Sequence, residues 1–192
     1  MQFEEACRYA IDLLTHQLPA NLSYHNVAHT IDVYHAAERL AKAEGINGRD
    51  LKLLLTAAWF HDVGQIYGSD NHETSSCAIA REVLPQYGYS TTDIEKICTI
   101  IMATRLPQSP TDHLGEILAD ADLDYLGSDN FFVTSDKLYH ELCQVDGEMS
   151  KEQWNRIQVN FFDGHRYFTK TARAERESKK EHNLQLIKTK LK

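Results

Sequence analysis

The sequence predicts an all-α fold, a single-domain helical bundle, and three observations carry that prediction. No stretch alternates apolar and polar residues at period two, and β-branched residues are sparse. Helix-starting and helix-stopping residues punctuate the chain at helical lengths. Residues 53–60 (Leu-Leu-Leu-Thr-Ala-Ala-Trp-Phe) are almost wholly apolar on every side, as a helix covered all round by others must be.

In chain order, residues 3–18 form the first predicted helix, stopped before Pro19, and residues 26–43 the second, closed by Gly45 and Gly48. Asp50 is expected to cap the central helix, which ends near Val63-Gly64, and residues 65–71 read as a loop beside that end. A fourth helix is expected over about 72–86, ending around Tyr87-Gly88. Thr92 and Glu95 suggest a capping box for a fifth, running to about Thr104. Residues 106–110 hold two prolines and read as a rigid loop. Asp112 starts a helix ending at Leu126-Gly127, and residues 130–145 are again helical. Ser150 and Gln153 form another capping box, opening one long helix, bent at Gly164, that carries the chain to its end. No internal repeat or low-complexity linker interrupts the 192 residues, so one domain is expected.

The net charge of −8 is uneven: residues 166–192 hold nine Lys/Arg against three Asp/Glu, and the rest of the chain eleven against twenty-five. An acidic body argues against binding a nucleic acid duplex, which needs a basic face. The basic tail reads as a solvated helix face, with a phosphate-bearing ligand or a partner as the alternative. No apolar run reaches the roughly 20 residues of a membrane span, and the acidic start Met1-Gln2-Phe3-Glu4-Glu5 does not suit a signal peptide. Cys7, Cys77, Cys98 and Cys143 are scattered without a Cys-x-x-Cys pair, as reduced thiols of a cytoplasmic protein would be. A homodimer stays open.

The central helix ends in His61-Asp62, which hydrophobic packing does not explain. Buried His and Asp side chains need partners, and the partner inferred is a divalent metal ion. Tyr24-His25-Asn26-Val27-Ala28-His29 sets two histidines four apart, one above the other if helix has begun by His25. Taken alone, such a pair is more often structural than functional. Ala119-Asp120-Ala121-Asp122-Leu123-Asp124 then places carboxylates in a segment whose other face is apolar.

This ordered set resembles the HD-domain superfamily of metal-dependent phosphohydrolases, over residues 22–127; residues 128–192 read as a helical extension with no assigned likeness. Tyr24-His25-Asn26-x-x-His29 is also similar to the opening motif of cyclic-nucleotide phosphodiesterases, and Asp120-Ala121-Asp122-Leu123 to a segment of small bacterial HD hydrolases. The resemblance implies His29, His61, Asp62 and Asp122 as metal ligands, with Asp120 the competitor for the fourth place and otherwise the group that orients a ligand histidine. Two imidazoles and two carboxylates suit Mn²⁺, Mg²⁺, Fe²⁺ or Co²⁺. It further implies His25 as general acid, Asp62 in the catalytic group, and His72 as a contact to substrate or a second metal, unless His72 merely begins a helix. Arg105, His165 and Arg166 are candidates for gripping phosphate, each set against a solvated side chain. Phe161, Phe162, Tyr167 and Phe168 read as core before they read as a base-stacking wall.

Departures from the pattern shape the expectation. Gln65 stands where the family often has Lys; the acidic pair of alarmone hydrolases is absent; and the histidines that complete a binuclear HD-GYP site are missing from residues 100–105. One firmly held metal is therefore expected. A di-iron oxygenase of this fold would need more histidines around the site than the pattern places. The implied activity is hydrolysis of a small phosphate mono- or diester, a nucleotide or cyclic nucleotide, by metal-activated water. The alternative is a non-catalytic metal- or nucleotide-binding HD module with a sensing or regulatory role.

Overall fold

The structure is a computed structural model that describes residues 1–68, 70–145 and 147–191. Among these residues there are nine α-helices and no strand. They are α1 (Phe3–Gln17), α2 (Val27–Ala43), α3 (Gly48–Phe60), α4 (His72–Val83), α5 (Thr91–Met102), α6 (His113–Asp122), α7 (Phe131–Val145), α8 (Lys151–Gly164) and α9 (Lys170–Thr189). Helix α3 is the hub. Every residue from Leu53 to Phe60 is buried, and α1, α2, α4, α5 and α6 all pack on it. An all-round apolar helix is stable only under such cover. A smaller apolar cluster, around Leu126, Phe131, Phe162, Leu184 and Ile187, joins α7, α8 and α9 to the end of α6.

Several helix boundaries differ from the sequence expectation, each for a local reason. Helix α3 starts after Asn47, so Asp50 lies in the first turn, where its charge favours the positive helix end, rather than at the cap. The capping box of α5 is Ser90 with Asp93, not Thr92 with Glu95: Ser90 Oγ accepts from Asp93 N (3.2 Å) and Asp93 Oδ2 accepts from Ser90 N (3.0 Å). Helices α3, α4 and α6 each give way to a short 3₁₀ turn: Val63–Tyr67, Leu84–Tyr87 and Asp124–Gly127. In the second of these, Pro85 cannot supply the N–H that would continue α4. The box of Ser150 and Gln153 forms as expected.

The long C-terminal helix is in fact two. Asp120, fully buried in α6, accepts hydrogen bonds from Phe168 N (2.8 Å), Thr169 N (2.8 Å) and Thr169 Oγ1 (2.7 Å). These donors are thereby taken from the helix, and Thr169 restarts it by capping Ala172 N.

Two glycines permit the close approaches that shape the site. A Cβ on Gly64 would lie 2.0 Å from the carbonyl oxygen of His72 and 2.7 Å from Ser76 N, so only glycine lets the start of α4 press against the turn after His61-Asp62. Ser76 Oγ locks that contact, donating to His61 O (2.7 Å) and accepting from Gly64 N (2.8 Å). A Cβ on Gly127 would sit 2.4 Å from Arg176 O, so α9 crosses the end of α6 at backbone distance.

Candidate metal centre

Four helix ends meet at one point. His29 lies in the first turn of α2, His61 and Asp62 follow α3, His72 opens α4, and Asp122 is the last residue of α6. Ligand atoms of His29, His61 and Asp122 all lie within 4.8 Å of one another. His29 Nε2 is 3.2 Å from Asp122 Oδ1 and 3.5 Å from Asp62 Oδ2; His61 Nε2 is 3.3 Å from Asp62 Oδ2 and 3.6 Å from Asp122 Oδ1. His61 Nδ1 lies 2.8 Å from Ala58 O, which leaves Nε2 as the nitrogen aimed at the cluster.

His29 Nε2, His61 Nε2 and Asp62 Oδ2 are buried without a hydrogen-bond partner. Orphaned buried polar atoms are costly, at about 1–3 kcal/mol each. Here three of them converge, and a divalent cation would satisfy all three at once. The donor set therefore fits a metal. Burial opposes a charge on His61, yet Asp62 and Asp122 outweigh it and hold its pKa well above the ordinary value. Burial likewise opposes the charge on Asp62, and His61 and His72 outweigh it, holding that pKa well below the carboxylate range. Proton and metal thus compete for these groups.

The other two histidines of the expected site border this cluster. His72 Nε2 lies 3.3 Å from Asp62 Oδ1 and 3.6 Å from Glu73 Oε1. Asn71, just before it, takes a left-handed φ of 54°, a conformation Asn tolerates, and its Oδ1 accepts from exposed Arg105 (2.8 Å). His25 precedes the Asn26 cap of α2, so His25 and His29 do not stack as a helical pair; their rings meet edge to face at 5.8 Å.

Glu141 of α7 holds His25 instead. It is buried at 3% exposure, hydrogen-bonds His25 Nδ1 through Oε1, and accepts from Tyr24 N (2.7 Å) and His25 N (3.0 Å) through Oε2. Burial works against the charged imidazole, but Glu141 and Asp62 outweigh it and raise the His25 pKa. The sequence expectation omitted Glu141. Its one signal was a carboxylate set among Leu138, Leu142 and Val145 on α7.

Asp120 takes no part in orienting a histidine of the cluster. Its hydrogen bonds go to Phe168 and Thr169, so the position given to it behind the ligands is corrected to a clasp between α6 and α9. His25, Asp62, His72, Arg105 and Asp122 line one cavity of about 480 Å³, and Glu73 and Asp70 add acidic lining. His165 and Arg166 line a different cavity. Gln65 is buried in the 3₁₀ turn and lines neither. Phe162 and Tyr167 are core, but Phe161 and Phe162 also wall the 480 Å³ cavity.

Comparison with known proteins agrees with this geometry. The model of the HD domain matches residues 26–124. An uncharacterized protein of Clostridium beijerinckii is 31% identical over 101 residues, a stretch that spans 51% of this chain and 62% of that protein. A crystal structure from Lactobacillus plantarum has a similar fold (TM-score 0.70, 21% identity, 98% of this chain and 96% of that one). So do a predicted HD superfamily hydrolase from an uncultured Thermotogales bacterium (0.66, 19%, 96% and 90%) and Bacillus subtilis YpgQ in complex with ADP (0.67, 18%, 98% and 95%). HD domains bind divalent metals, and this chain carries a His/Asp cluster of that kind at the junction of its helices. By the match over residues 26–124, the chain belongs to the HD domain family.

Proposed function

We propose that the protein is a metal-dependent phosphohydrolase acting on a small phosphate mono- or diester, a nucleotide or cyclic nucleotide. One observation carries the reading: the orphaned atoms of His29, His61 and Asp62 converge with Asp122, and His25, held by the buried Glu141, lines the same cavity as Asp62 and Asp122. His29, His61, Asp62 and Asp122 would hold Mn²⁺, Mg²⁺, Fe²⁺ or Co²⁺. When bound, such an ion supplies Lewis acidity toward the phosphoryl oxygens and lowers the pKa of water.

The remaining steps belong to the side chains. Asp62 presents a carboxylate to accept the proton of the attacking water. His25, protonated and oriented by Glu141, donates a proton to the leaving oxygen. His72 and Arg105, on the cavity wall, grip phosphate oxygens and hold the ester in line. The complex of YpgQ, a protein of the same fold, with ADP favours a nucleotide among phosphate esters.

The alternative, a non-catalytic HD module, has no use for Glu141. A metal scaffold needs no buried carboxylate aligning a fourth histidine beside the cluster. The test is turnover of p-nitrophenyl phosphate, bis-p-nitrophenyl phosphate and a nucleotide panel with Mn²⁺, Mg²⁺, Co²⁺ and Ni²⁺. Hydrolysis is expected, and His25→Ala should lower it by about 10²- to 10⁴-fold on nucleotides with metal retained. The loss should be much smaller on p-nitrophenyl esters, whose leaving group needs no proton. Bound metal with no turnover of any ester would leave the module in its place.

A further inference from the structure

The wall of the 480 Å³ cavity changes character along the chain. Up to Asp122 its lining carries the charged groups; from Leu123 onward it carries none. Apart from Leu123, that second part comes from the turn after α6 and from α7 and α8, beyond the matched residues 26–124. A phosphate group alone would leave most of such a volume empty, since cavities of about 300–1,000 Å³ are the size of a whole small-molecule ligand.

Within this apolar wall one carboxamide is held in a defined orientation. The indole Nε1 of Trp154 donates to Ser135 Oγ (3.2 Å), and Ser135 Oγ donates to Gln158 Oε1 (2.6 Å). Gln158 Nε2 gives one N–H to Asn155 Oδ1 (3.3 Å) and has a second to offer. Trp154 and Gln158 are 6% and 7% exposed, and both line the cavity beside Leu142, Phe161 and the half-exposed Ile157.

We infer that α7 and α8 form the leaving-group chamber, and that it selects a heteroaromatic ring of nucleobase size whose acceptor edge meets Gln158 Nε2. This rests on the phosphohydrolase reading for the word leaving group; the ring site itself does not need catalysis. Apolar walls reward a planar ring and reject a bare sugar phosphate. An ordered amide adds discrimination, because a ring with no acceptor leaves the donor unpaired.

Adenosine tests this without phosphate or turnover. The chain has two tryptophans, Trp59 on α3 in the core and Trp154 in the chamber. Adenosine added to the metal-loaded protein should quench tryptophan fluorescence saturably, whereas ribose should not. The quench should vanish in Trp154→Phe. Gln158→Leu and, at the rim, Ile157→Asp should each weaken binding by about tenfold or more, one hydrogen bond or one apolar contact being worth roughly that factor. No quench up to the solubility of adenosine, a quench that survives Trp154→Phe, or wild-type affinity in both Gln158→Leu and Ile157→Asp would overturn the chamber. Adenosine binding through Trp154 in a protein that hydrolyses no ester would support the chamber and strike only the hydrolase.

Discussion

His25 and Glu141 are 116 positions apart and meet through both oxygens of one buried carboxylate. Glu141→Gln keeps the size and removes the charge that favours a protonated, aligned His25. Turnover of nucleotides should fall by about 10- to 100-fold, less than for His25→Ala, while metal content stays at the wild-type level by elemental analysis. Loss of metal instead would mean that Glu141 shapes the cluster rather than the acid. The two carboxylates of α6 separate just as sharply. Asp122→Asn should lose metal at ordinary concentrations. Asp120→Asn should bind metal as the wild type does and unfold more easily by about 1–3 kcal/mol, because its amide meets three donors where a carboxylate accepted all three.

Among the elements, the joint between α8 and α9 carries a pH dependence of its own. His165 lies there with its Nε2 buried and unpartnered, its ring near Tyr167 and its Nδ1 3.3 Å from Lys180 Nζ. Burial, and then the Lys180 charge, push its pKa down from 6.5 to about 4. The unfolded chain therefore takes up this proton before the native one. Its contribution to stability is whole above pH 6.5 and is lost as pH falls toward 4. The full span is on the order of 3 kcal/mol. His165→Asn keeps an acceptor for Lys180 and does not titrate, so denaturant unfolding between those two pH values should be flatter for the variant than for the wild type. Parallel curves would show that His165 titrates normally.

The whole molecule is acidic in its body and basic in its tail, and the fold brings the two together. Arg176 pairs with Asp124 (2.7 Å), Lys179 with Asp129 (2.5 Å) and Lys188 with Asp163 (3.5 Å), while Arg39 of α2 bridges Asp124 and Glu175. Single surface pairs contribute about 0–1 kcal/mol, so they align α9 more than they stabilise it. Among the described residues no helix is long and apolar enough to cross a membrane. Metal binding should act on the molecule globally, because the ligands tie α2, α3 and α6 at one point. With metal at about 100 times its Kd, stability should rise by about 2.7 kcal/mol, or roughly 5–10 °C in Tm for a chain of this size. Calorimetry with and without chelator measures it, and His61→Ala should abolish the difference. An unchanged Tm with metal demonstrably bound would contradict a cluster that joins three helices.

What the sequence by itself determined was the set of local patterns. Leu53 to Phe60 had to be a covered helix, because no face of it is polar. His29, His61, Asp62 and Asp122 were expected as a group because the ordered motifs around them resemble the HD-domain pattern. What only the tertiary structure decided were the contacts between distant segments. Glu141 reaches His25 only because α7 folds back over the start of α2. Asp120, by type and spacing as good a ligand as Asp122, turns instead to Phe168 and Thr169 and breaks a helix that local propensity would have continued. Periodicity and capping act over a few residues and leave their mark in the sequence. A buried carboxylate takes whichever donors the packed fold brings to it, and those donors lie 48 to 117 residues away.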